Sequence, residues 1–241
     1  MEILLRNRFF SNEKVQDKNL AFMAIVFFPA TLLTLTLDSR YFTETFFDAA
    51  NLCTVLVIVF FLLFYWYADS RLRKLMFIMV FLSFGGELLF CKVFGMYEYL
   101  RLNIPVDVPL GHALVYASVY VLSKTAWAKR NLKLTKIAFP IIIAVTFIFG
   151  AIFLNDIFSL IFGSLLFLVF WRKKGQPLYY YVTFCVFYIE IIGTRFECWT
   201  WVPKIFNVIL SANPPLGAVF FYICGDVILA KLTDLWEKKI R

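Results

Sequence analysis

Eight stretches of this 241-residue chain are apolar over most of the length a helix needs to cross a bilayer. Lipid offers no hydrogen-bond partner to a backbone amide, so a segment in hydrocarbon must satisfy its own N–H and C=O groups, as a helix does. A spanning helix takes roughly 20 residues, within a range of about 17–25. The spans are expected at Leu20–Leu37, Phe47–Tyr67, Leu75–Phe94, Pro109–Ser123, Ile137–Leu154, Ile157–Trp171, Leu178–Thr194 and Pro215–Ala230. The fourth and eighth are short and predict little tilt or a thinned bilayer around them. Only Asn155-Asp156 parts the fifth from the sixth.

Composition agrees. Apolar residues make up 62% of the chain and charged residues 17%, against roughly half and about a quarter in soluble domains. The net charge of +8 follows the expected topology. With the N-terminus inside, 19 of the 24 Lys and Arg fall in inner segments, including Arg6, Arg8, Lys14 and Arg241; four fall in outer ones, and Lys92 lies at the end of a span. That bias orients a membrane protein with both termini cytoplasmic, and no nucleic-acid partner is expected. The first 19 residues are polar without a cleavage site, so a cytoplasmic tail before an uncleaved span is expected. Cys53, Cys91, Cys185, Cys198 and Cys224 show no metal-ligand spacing and lie mostly in apolar runs, where a thiol acts as a small hydrophobe. No disulfide framework, metal or other cofactor is expected.

Polar residues repeat inside this apolar background. Glu87 and Glu190 lie 103 residues apart, each followed five positions on by a base, Lys92 or Arg195. Alternate aromatics come next, Tyr97-Glu98-Tyr99 and Trp199-Thr200-Trp201, then Pro109-Leu110-Gly111 and Pro215-Leu216-Gly217 before another apolar run. Four spans per half is an even number, so the halves run parallel about an axis along the membrane normal. The expected fold is therefore all-α: a polytopic bundle of about eight transmembrane helices in two parallel four-helix repeats. It forms a single membrane domain over residues 1–241, with repeat 1 about 20–123 and repeat 2 about 137–230.

Intramembrane carboxylates are costly, which makes Glu87 and Glu190 the first candidates for catalysis. Each lies about twelve residues into an inside-to-outside span, roughly two turns below the outer interface. A neutral glutamic acid there is a competent proton donor, and a second carboxyl in a wetter setting can accept. The alternative is a structural bond between helices. Lys92 and Arg195 pair with them only if the helix unwinds, because residues five apart do not face each other; snorkelling to the surface is the other reading. Tyr97, Tyr99, Trp199 and Trp201 either form an interfacial belt or line a site on extended segments, where their ring faces would stabilise a cation. His112, in the first turn of the fourth span, could shuttle a proton to Glu87 or be structural; its counterpart is Ala218. The free amides at that helix start would also favour a nearby anion. Asn213 is expected to help line the same region. Asp226 and Asn51 could extend a polar path, with Asp226 expected to pair with an inner base or reach inner water.

Glu87, Gly95-Met96-Tyr97-Glu98-Tyr99 and Val108-Pro109-Leu110, with Glu190 and Trp199-Thr200-Trp201 in the second half, resemble the integral-membrane carotenoid hydratases and, more distantly, the small membrane lycopene cyclases. The likeness covers two stretches of about 30–45 residues, and the Pro-x-Glu-Glu arrangement of those cyclases is absent. The resemblance implies protonation of an isoprenoid double bond by one glutamate, with water addition or cyclisation assisted by the other and no cofactor. The expected partners are then a membrane lipid or isoprenoid substrate and the bilayer, in the cell (inner) membrane. A proton- or cation-coupled transporter and a non-catalytic scaffold remain open: a carrier needs a polar route to both sides, and a scaffold would keep the two glutamates apart.

Overall fold

The computed structural model describes residues 18–239. The polar segment 1–17, with the expected cytoplasmic tail, and residues 240–241 lie outside the described residues. The chain is a helical, multi-pass membrane protein. Among the described residues six helices are long and apolar enough to cross a membrane: α1 (Lys18–Leu37), α3 (Ala50–Tyr67), α4 (Ser70–Glu87) with its π-helical continuation (Leu88–Val93), α7 (Leu132–Phe153), α9 (Pro177–Arg195), and α10 (Val219–Lys239) with the 3-10 turn before it (Leu216–Ala218). Two apolar helices are shorter, α5 (Val108–Ser123) and α8 (Ile157–Arg172), at 16 residues each. The short helices α2 (Arg40–Thr45) and α6 (Ala126–Arg130) lie in connections.

Local chemistry sets several of these starts. Asp69 and Asp156 cap α4 and α8 by accepting from Leu72 N and Ser159 N, which satisfies amides a helix start leaves free. Pro109 and Pro177 stand in the first turns of α5 and α9, where a missing N–H costs nothing. Asn155-Asp156 does end one helix and start another. Ser159 Oγ, bonded to the Asp156 carboxylate, also accepts from Gly217 N at 2.7 Å, tying α8 to the start of α10.

Helices α4, α5, α9 and α10 form the centre. α4 packs on α5 and α10, and α9 on α5 and α10, while α1 and α3 flank α5 and α7 and α8 flank the second half. The α9 span is 67% buried inside the protein and the α3 span 11%, so α9 faces protein and α3 faces lipid. α10 runs beyond the expected stop at Ala230, because its last charges are paired rather than solvated. Arg71 at the start of α4 binds Asp234 at 2.8 Å and Glu237 at 2.5 Å, and Lys74 lies 3.5 Å from Glu237. At the opposite end Arg101 binds Asp38 and Asp48, each at 2.6 Å.

That opposite end carries two short strands. β1 (Tyr97–Tyr99) follows the π-helical turn and β2 (Trp199–Trp201) follows α9. They pair antiparallel, Tyr97 with Trp201, Glu98 with Thr200 and Tyr99 with Trp199. Side chains alternate across a strand, so the four aromatics turn toward the bundle while Glu98 and Thr200 are exposed. A hairpin of β3 (Lys204–Ile205) and β4 (Ile209–Leu210) completes this end.

Candidate active site

Each glutamate sits in a box of three hydrogen bonds. Glu87 closes α4; its Oε2 accepts from Tyr97 Oη at 2.7 Å and Tyr99 Oη at 2.8 Å. Its Oε1 lies 3.0 Å from His112 Nε2, on α5. Glu190, on α9, is built the same way. Its Oε2 accepts from Trp199 Nε1 and Trp201 Nε1, both at 3.0 Å, and its Oε1 accepts from Tyr222 Oη, on α10, at 3.0 Å. Both side chains are buried, Glu87 at 5% and Glu190 at 2% exposure.

The strands produce this geometry. Left-handed residues, Gly95 at φ +57° and Glu197 at φ +56°, turn the chain out of each helix two residues before each strand. Alternation along the strand then delivers two aromatic tips to one carboxylate oxygen. Gly193 makes room in the second box: a Cβ there would lie 1.9 Å from the Trp199 ring, so only glycine lets the indole lie on α9 and reach Glu190. Asn213 stands behind the box, its Oδ1 accepting from Trp201 N at 3.1 Å. It positions the strand, and among the described residues its side chain makes no hydrogen bond to either carboxylate.

The boxes touch. Tyr97 packs on Trp201 with ring centroids 4.7 Å apart, and His112 stacks on Tyr222 at 5.2 Å. The two carboxylates bear electrostatically on each other. A ladder of rings runs on from Trp201 through Phe158, Phe162 and Phe221 to Phe90, with successive centroids 6.4, 4.4, 4.8 and 4.7 Å apart. Burial, and then the Glu87 charge, hold the Tyr97 and Tyr99 phenols well above the usual tyrosine range, so both stay donors.

The donor sets differ in what they permit. Indole N–H groups only donate, so Glu190 Oε2 is fixed as an acceptor. Phenols and imidazole can donate or accept, so Glu87 and His112 can hold one proton between them. Which ring nitrogen of His112 carries it follows the state of the carboxyl.

Sequence reasoning placed Glu87, Glu190, His112, Tyr97, Tyr99, Trp199 and Trp201, and the structure brings all seven together. The aromatics donate to the carboxylates as well as presenting faces. The Glu87 Oε1 contact comes from the His112 side chain. Lys92 donates to Leu102 O, and neither Lys92 nor Arg195 pairs with a glutamate among the described residues. Tyr222 was missed. The motif count sets Ala218 opposite His112, but the side chain that completes the second box comes from one turn further along the helix, at the i+4 position. Two expectations need correction. Among the described residues Asp226 pairs with no base: it is 4% exposed, and its Oδ2 has no hydrogen-bond partner, while Arg71 is held by Asp234 and Glu237. Asn51 is exposed on α3 and adds nothing to an interior path. Among the described residues no three His, Cys, Asp or Glu side chains group as metal ligands.

Searches of protein-family models, of curated proteins and of solved structures find no match to this chain.

Proposed function

We propose that this is an intramembrane acid–base enzyme acting on a lipid or polyisoprenoid, with Glu87 and Glu190 as the working pair. The observation that carries this is the asymmetry of the two boxes: Glu87 shares a proton-competent bond with His112, while two donor-only indoles fix Glu190 Oε2 as an acceptor and leave Oε1, bonded to Tyr222 Oη, as the oxygen that can take up a proton. Glu87 transfers its proton to one carbon of a double bond, and the cation forms on the other. Tyr97 and Trp201 offer it aromatic faces. Water then bonds to the cationic carbon as its proton passes to Glu190, or Glu190 takes a proton from a neighbouring carbon after ring closure. The proton returns to Glu87, so nothing is consumed beyond the added water. The Phe ladder suits an apolar chain lying beside the boxes.

This reading includes the finer architecture: eight spans, the two 16-residue helices among them, as two parallel repeats with both ends cytoplasmic in the cell (inner) membrane. Its support is the duplicated box and the β1–β2 pairing centred on Glu98 and Thr200. The test is incubation of the reconstituted protein with acyclic polyisoprenoids and mass analysis of the extract. Gain of one water, or an isomer of unchanged mass, is expected. Glu87→Gln and Glu190→Gln should each lower the rate by ~10²–10⁴, the usual worth of a general acid or base. Turnover undiminished in both variants sinks the proposal.

The buried, unpartnered Asp226 carboxylate favours a second reading, a proton-coupled carrier. Substrate-dependent proton uptake into sealed vesicles, without chemical change in the substrate, would select it.

A further inference from the structure

We infer that Asp226 is a proton relay station joining the two carboxylate boxes to the Arg71 end of the bundle. The inference holds whether the boxes transform a lipid or bind a transported cation. Asp226 lies one helical turn beyond Tyr222 on α10, and Tyr222 Oη is bonded to Glu190 Oε1. On the facing helix α5, His112, Tyr116, Tyr120 and Lys124 recur every fourth residue, the spacing that lines one helix face. Tyr116 and Tyr120 stack at 5.9 Å, and Lys124 Nζ reaches Tyr120 Oη at 2.6 Å. Tyr116, Tyr120 and Asp226 are all buried. A polar stripe thus runs from both boxes to the end where Arg71, Asp234 and Glu237 are paired.

A purely structural interior would not need it. A buried carboxylate oxygen without a partner is costly, and in a membrane span such a residue marks a proton or ion pathway more often than a packing contact. The groups on which Asp226 bears electrostatically are Tyr116 from α5, Tyr179 and Cys185 from α9 and Cys224 on its own helix, and Tyr222 lies one turn before it on the same helix. No charged side chain stands against it among the described residues. His112 is faced by Glu87 from α4 and Tyr222 from α10. A proton arriving from the Arg71 end binds the Asp226 carboxylate. It passes to the Tyr222 oxygen as Tyr222 gives its own proton to Glu190 Oε1, so Tyr222 ends unchanged. The relay requires water to bridge each one-turn gap, which costs little relative to direct bonds.

The chain has one histidine, which makes His112 a unique reporter beside the boxes. The experiment is magnetic resonance of protein labelled with isotopic histidine, oriented in vesicles with a pH difference across the membrane. In wild type the His112 signal should follow the pH on the Arg71 side. Asp226→Asn should remove that dependence while leaving the signal normal when both sides share one pH. Tyr116→Phe, which keeps the packing ring, should weaken the dependence and serves if Asp226→Asn fails to fold. A His112 signal that follows the strand side in wild type, or side dependence unchanged in folded Asp226→Asn or Tyr116→Phe protein, overturns the inference.

Discussion

The His112 imidazole and the Tyr222 phenol lie face to face, ring centroids 5.2 Å and planes 18° apart. One ring holds Glu87 and the other holds Glu190, so this stack joins the two boxes through their third hydrogen-bond partners.

A double-mutant cycle measures that link. His112→Ala and Tyr222→Ala should couple by about 0.5–1.5 kcal/mol, as packed ring pairs do. Thermal unfolding in detergent supplies the four stabilities. Additivity would mean the stack is mere proximity.

Glu190→Gln separates stability from chemistry. The amide oxygen can accept from both indoles, and the amide nitrogen can donate to Tyr222 Oη, so every partner remains satisfied. The expected stability change is below about 1 kcal/mol, alongside loss of turnover. A large drop in melting temperature would show instead that the charge holds the box together.

Gly193→Ala places a Cβ 1.9 Å from the Trp199 ring. The indole must swing away and leave Glu190. Overpacking costs about 1–3 kcal/mol, and losing a donor to a charged acceptor costs about 1.5–3 kcal/mol. Intrinsic fluorescence should shift as Trp199 leaves its pocket. A wild-type emission spectrum at wild-type stability would contradict the packing described.

Arg101 holds two carboxylates that titrate apart. Burial raises Asp38, outweighing its bond to Arg101, whereas the hydrogen bond from Arg101 lowers the more exposed Asp48. The signs oppose. Asp48 stabilises the fold above its unfolded value and loses that contribution as pH falls through its depressed folded value. Asp38, taking up a proton more readily when folded, favours the fold below its raised folded value. Acid titration of carbon-labelled aspartate should therefore show Asp38 protonating first, with Asp48 still bound to Arg101. The reverse order would place the burial wrongly.

Glu87, Glu190 and the alternate aromatics were legible in the sequence because polar and ordered residues stand out in an apolar background. The spans were legible because hydropathy reports what lipid tolerates. Helix length is a different quantity. α10 continues past Ala230 because Asp234 and Glu237 find Arg71 and Lys74 on α4, a match no single segment displays. Tyr222 was hidden for a related reason. A tyrosine in an apolar span is ordinary, and its role depends on how α10 is rotated against α9. The isolation of Asp226 was equally invisible, since nearby bases in the sequence say nothing of which acids reach them first.

The π-helical turn after Glu87 sets the phase of the strand that follows it. Tyr97 follows Glu87 by ten residues, whereas Trp199 follows Glu190 by nine. Both strands nevertheless deliver their rings to the same carboxylate oxygen. A π-turn holds one more residue than the α-turn it replaces, so the wider coil at Leu88–Val93 absorbs a single-residue insertion before it can shift the phase of β1. Excising one residue from this turn should therefore restore an unbroken α-helix with the box intact, checked by the wild-type environment of Tyr97 and Tyr99 in the shortened protein.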